Sequence, residues 1–136
     1  MKKIFFSIVS LMGILILSGC TTTNNDSLRG FYQSERTSDG YVIQVSIQPD
    51  EKSFVEYIDN REVNRGTYDV LGDKKYKLVG DNQTIEIDLE KNNSFEIIIK
   101  KINDGNAIVL RNINKVPGYF STEFDDIDKY EALIEE

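Results

Sequence analysis

From Leu28 to Ile113 apolar and polar side chains take turns along the chain. Ile43, Val45 and Ile47 alternate with Gln44, Ser46 and Gln48, and Ile85, Ile87 and Leu89 alternate with Glu86, Asp88 and Glu90. Successive side chains of an extended strand leave opposite faces, so this period of two makes one apolar face and one wet face. Clusters rich in Gly, Asn and Asp interrupt the pattern at Ser38-Asp39-Gly40, Pro49-Asp50-Glu51, Asp59-Asn60, Leu71-Gly72-Asp73, Gly80-Asp81-Asn82, Asn92-Asn93 and Asn103-Asp104-Gly105-Asn106. These residues supply the backbone conformations of tight turns, and the short spacing favours antiparallel hairpins. The pattern predicts eight strands, near 29–36, 41–48, 52–58, 62–70, 74–79, 83–90, 94–102 and 107–113.

The chain also resembles itself. A shift of 42 lays Ile43, Val45 and Ile47 on Ile85, Ile87 and Leu89, and a shift of 41 lays Ser53-Phe54 and Ile58 on Ser94-Phe95 and Ile99. Arg29-Gly30-Phe31-Tyr32 and Arg65-Gly66-Thr67-Tyr68 look alike, as if each opened a unit. Two similar meanders would each leave an apolar face bare, and wrapping them round a shared core covers both. The expected fold is all-β, a small antiparallel barrel or curved sandwich of about eight strands over 29–120.

Pro117-Gly118 ends the strand pattern, and Ser121 or Thr122 can cap a helix over 121–136. Phe124, Ile127, Tyr130 or Glu131, and Ile134 make an apolar stripe on it, which predicts an amphipathic helix plugging a barrel end or covering a sheet edge. The segment carries seven acids and one base, Lys129. It is not a calcium loop, because Asp126, Asp128 and Tyr130 are followed by Glu131 where such a loop needs Gly.

At the other end Lys2 and Lys3 precede an apolar run from Ile4 to Leu17, too short for a comfortable membrane span and shaped like a secretory signal. The junction Leu17-Ser18-Gly19-Cys20 resembles the lipobox of bacterial lipoproteins. That resemblance implies cleavage after residue 19, a diacylglycerol thioether on Cys20, and anchoring on the extracytoplasmic face of the cell membrane. A single acyl chain binds a bilayer reversibly, whereas two hold stably. The polar stretch from Thr21 to Ser27 then reads as a flexible tether, so that 20–28 joins lipid to domain.

Composition narrows the chemistry. The 136 residues contain no His, no Trp and one Cys, with 16 basic against 23 acidic side chains and a net charge of −7. The ordinary zinc ligands, His-based acid–base catalysis and disulfide frameworks are therefore missing, and an acidic chain lacks the basic face that nucleic acid requires. A serine nucleophile would need Lys or a carboxylate as base, and no Ser-x-x-Lys, Gly-x-Ser-x-Gly or phosphate-binding glycine string occurs. No enzyme activity, cofactor or metal is expected.

Three residues are candidates for ligand binding. In the repeat alignment Phe95, Ile97 and Ile99 face inward and correspond to Phe54, Glu56 and Ile58, which puts a carboxylate where the second unit has isoleucine. A buried carboxylate needs a partner, and Arg29, Arg36 or Arg65 is the expected one. Either Glu56 is a polar group in a ligand cavity or it belongs to a structural ion pair. Tyr57 and Tyr41 can form a binding face beside it, although aromatic residues are also ordinary strand and core residues. The Gly-x-Tyr opening is loosely similar to small lipocalin-like domains, with Tyr in place of their Trp, which implies a carrier for a small apolar ligand. The favoured expectation is instead a non-catalytic module binding another protein or an envelope polymer, with exclusion or immunity lipoproteins as one subtype.

Overall fold

The computed structural model describes residues 27–121 and 123–135. Eight strands run in the predicted places: β1 Gly30–Ser34, β2 Ile43–Gln48, β3 Ser53–Ile58, β4 Arg61–Gly72, β5 Lys75–Gly80, β6 Thr84–Asp88, β7 Ser94–Ile97 and β8 Ile108–Asn114. They form one antiparallel sheet in the order β6-β5-β4-β3-β2-β1-β8-β7, curled into a nearly closed barrel. The predicted all-β class therefore holds, and so does a helix near the C-terminus.

The alternation does the work assigned to it. Ile43, Val45 and Ile47 of β2, Phe54 and Ile58 of β3, Ile85 and Ile87 of β6 and Phe95 and Ile97 of β7 are all buried in one cluster, with Tyr32 and Leu110. At about 25 cal/mol per Å2 of apolar surface removed from water, each such side chain contributes on the order of 2 kcal/mol. The Asp59-Asn60 turn has positive φ at both residues (49° and 69°), the conformation of a two-residue hairpin whose twist matches its strands. Gln44 locks it, its Oε1 accepting the Asn60 N–H at 2.9 Å while its Nε2 donates to Asn60 Oδ1 at 2.6 Å.

The repeat is only partly expressed. The β2–β3 hairpin pairs throughout, from Gln48↔Ser53 to Ile43↔Ile58. Its counterpart, β6 and β7, begins the same way with the Glu90 N–H donating to the Ser94 carbonyl at 2.8 Å, and then the ladder stops. In the β2–β3 register the outward pair after that rung would set Asp88 directly against Glu96, where the first unit sets Ser46 against Val55. Like charges directly opposite one another oppose pairing. The barrel consequently stays unzipped along this one line.

The two Arg-Gly-x-Tyr strings do not head equivalent strands, since they fall on β1 and β4. They share a packing demand instead. A Cβ on Gly30 would lie 2.1 Å from the Asn114 carbonyl oxygen, and one on Gly66 would lie 1.9 Å from that of Val79. Both strings place glycine where a neighbouring strand passes too close for a side chain, with an inward tyrosine two residues later.

Past β8 the chain doubles back over the outside of the barrel. Gly118 lies on the Phe31 ring, and Phe120 makes edge contacts with Phe31 (centroids 5.6 Å apart) and Tyr57 (5.0 Å). The helix, α1, spans only Ile127–Glu131, shorter than the 121–136 expected. Asp126 occupies its N-cap position without a side-chain cap hydrogen bond, in place of Ser121; Thr122 lies outside the described residues. The apolar stripe docks nevertheless, with Ile134 just beyond α1 buried in the core cluster and Leu133 and Tyr130 packed against it.

Candidate functional site

Among the described residues the interior holds one acidic side chain, and the alternation singles it out. Glu56 faces inward between Phe54 and Ile58 and is 0% exposed. Its partner is not an arginine. Arg65 points outward and binds Glu62 through two hydrogen bonds of 3.0 and 2.7 Å, Arg36 donates to the Gly40 carbonyl, and Arg29 is exposed where the chain enters the barrel. The partner is Asn64, whose Nδ2 donates to Glu56 Oε1 at 3.1 Å.

Asn64 reaches this position through a bulge. The β3–β4 register slips between Glu56 and Tyr57, Val63 is taken up as an extra residue, and Asn64 is left opposite Glu56. Its amide then ties the core to the β5–β6 turn. Nδ2 also donates to the Gln83 carbonyl at 2.9 Å, and Oδ1 accepts the Asn82 N–H at 2.9 Å. Asn82 Nδ2 returns a bond to the Val63 carbonyl at 2.8 Å. Gly80 makes the room, because a Cβ there would sit 2.2 Å from Asn64 Oδ1.

The network is incomplete. Glu56 Oε2 and Gln83 Oε1 are both buried with no hydrogen-bond partner among the described residues. Burial without a cation favours the neutral acid, and it lifts the Glu56 carboxyl to about 7 against the partial offset of the Asn64 hydrogen bond. The arrangement binds a proton near neutral pH, in a place sealed from solvent.

Tyr57 and Tyr41 do not join Glu56. Tyr57 is on the opposite face of β3, under the returning C-terminal segment, and its hydroxyl accepts the Phe120 N–H at 3.4 Å. Burial pushes its phenol up from the ordinary value. Tyr41 lies at the barrel end that α1 covers, edge-on to Tyr130 with centroids 6.1 Å apart. The three candidates thus occupy the core, the outer wall and one mouth.

Two features were not anticipated. Arg61, at the start of β4, grips the tail through Nε and Nη2, both 3.0 Å from the Asp126 carboxylate, with its guanidinium over the rings of Phe124 (4.1 Å) and Tyr130 (4.8 Å). Asp126 is correspondingly held below the usual carboxylate range. The alternating Asp and Glu of the tail gave no sign of which acid Arg61 would select. The second feature is a cleft open to solvent along the unzipped line, lined by Gln83, Thr84, Ile85, Glu86, Glu96, Ile97, Ile98 and Ala107. Its signal was in the sequence, as the acids that replace Ser46 and Val55 in the second unit.

Among the described residues there is no cluster of three or more acidic, Cys or His side chains able to hold a metal, and no helix long and apolar enough to cross a membrane. Cys20 lies outside the described residues. No family model, curated protein or solved structure matches the chain.

Proposed function

We propose that the chain is a lipid-anchored protein of the extracytoplasmic membrane face, whose barrel binds another protein or an envelope polymer without catalysing a reaction. The observation that carries the binding half of this reading is the filled interior. Tyr32, Phe54 and Phe95 are at most 2% exposed and meet the isoleucines of β2, β3 and β6 across the space where a carrier would hold its ligand. What is left for recognition is the outer wall, where Ile98, Ile113, Val116 and Tyr119 are each about three-fifths exposed. The anchoring half rests on the lipobox-like residues Leu17 to Cys20.

Metabolic labelling with a clickable fatty acid tests the anchor, with incorporation expected in the natural chain and lost in Cys20→Ser. Native mass spectrometry of the chain tests the barrel. The expected spectrum carries no small apolar ligand, and a stoichiometric copurifying lipid would instead favour a carrier.

A further inference from the structure

We infer that the line between β6 and β7 is a docking groove for an extended, basic segment of a partner protein, which adds itself as a strand. The inference deepens the binding reading above and rests on it. Three observations converge on the groove.

The first is a pair of free strand edges. Among the described residues β6 is paired only with β5, and β7 only with β8. The Leu89 N–H is directed at the Lys74 carbonyl on the β5 side, so the alternation of an antiparallel ladder turns the N–H groups of Glu86 and Asp88 toward the groove. On the other lip, the Ser94 carbonyl receives the Glu90 N–H, which puts the backbone of Ser94 and Glu96 on the groove side. Unpaired N–H and C=O groups of this kind are templates for another strand.

The second is shape. The ladder is closed at the Glu90–Ser94 rung, and the cleft lies beyond it, between Gln83–Glu86 and Glu96–Ile98. Ile85 and Ile97 form a buried apolar floor, and Ile98 stands 60% exposed at the rim. A strand entering here can lay alternate side chains on that floor.

The third is charge, and it selects the occupant. Glu86 and Glu96 are exposed on opposite lips. Lys77 stands across from Glu86 on β5 and Lys75 binds Asp88 at 3.9 Å, while Glu96 has Val109 opposite it. Asp88, which would oppose Glu96 across the line, is already met by Lys75, so the acids left for an occupant are Glu86 and Glu96, and a strand whose outward side chains are Lys or Arg satisfies them. An incoming segment of alternating apolar and basic residues meets both requirements. A second copy of this chain would bring a net charge of −7 to the same acidic lips, which disfavours it as the occupant.

The test uses the full chain in detergent, a short blocked peptide of alternating Val and Lys, and a matching peptide of Val and Glu, with amide exchange followed residue by residue by NMR. The Val/Lys peptide is expected to slow exchange at Glu86 and Glu96 about tenfold, with the Val/Glu peptide inert. In a Glu86→Lys, Glu96→Lys variant the preference should reverse, and unchanged protection of the β2–β3 amides verifies that this variant is folded. Indifference to both peptides, equal protection by both, or protection that grows with protein concentration alone would overturn the proposal. Native mass spectrometry of the chain without peptide is independent of this outcome, so a failed groove and a failed binding reading are told apart.

Discussion

Asn64 on β4 donates to Glu56 on β3 at 3.1 Å, and the carboxyl oxygen turned away from it meets no donor among the described residues. A neutral acid suits that setting and an anion does not. The group is raised from 4.5 in the unfolded chain to about 7 in the barrel, so the folded state holds the proton more tightly. Its contribution is therefore complete below the unfolded value and is lost as pH rises through about 7, a change of about 3 kcal/mol. Denaturant midpoints measured near pH 5 and near pH 8 are expected to differ in that direction for the natural chain. Glu56→Gln should flatten the difference while keeping the Asn64 bond.

Gly66 has no room for even one carbon. Gly66→Ala drives a Cβ into the Val79 carbonyl, a backbone atom that moves only if β4 and β5 separate. The expected loss is about 1–3 kcal/mol, read from the urea midpoint, whereas Gly72→Ala, with no atom within 4 Å, should cost less than about 1 kcal/mol.

Arg61 is the fastening of the tail. Lysine keeps the charge but neither the forked geometry nor the flat face that lies over Phe124 and Tyr130. In Arg61→Lys the amides of 127–134 are expected to exchange several-fold faster, with those of β2 and β3 unchanged. Because Arg61 and Asp126 are partly exposed, high salt should move the natural chain in the same direction.

Phe120 holds the returning segment against the outer wall. Phe120→Ala removes both edge contacts, with Phe31 and with Tyr57, and should uncover the Tyr57 hydroxyl. A downward shift of the Tyr57 phenol toward its ordinary value, followed by spectroscopic titration, checks this.

The strands were legible because period-two alternation is the one signal a half-buried sheet must write into its sequence. Glu56 was legible for the same reason, since Phe54 and Ile58 fix the face it shares. Its partner was not, because a bulge that admits Val63 changes which residue of β4 points inward, and alternation alone does not mark a bulge. Turn positions were found, and positive φ falls on the expected Asp59, Asn60, Asn93, Asn103 and Asp104, but it also falls on Lys52 and Lys74, just beside the expected clusters. The short helix shows a different limit. Its stripe was right, yet its first turn depends on where Arg61 and Phe120 pin the chain, which is tertiary information.

The two places where the chain enters and leaves the barrel are built for different mechanical lives. β1 is hydrogen-bonded on both sides, to β2 and β8, and Leu28 just ahead of it is buried in the core. Tension arriving at Leu28 from the N-terminal side is resisted by two ladders loaded in shear together with the extraction of an apolar plug. Tension from the C-terminal side meets Ile134, Arg61 and Phe120 one after another, so that end peels. A tether attached ahead of Leu28 pulls on the stronger of the two handles.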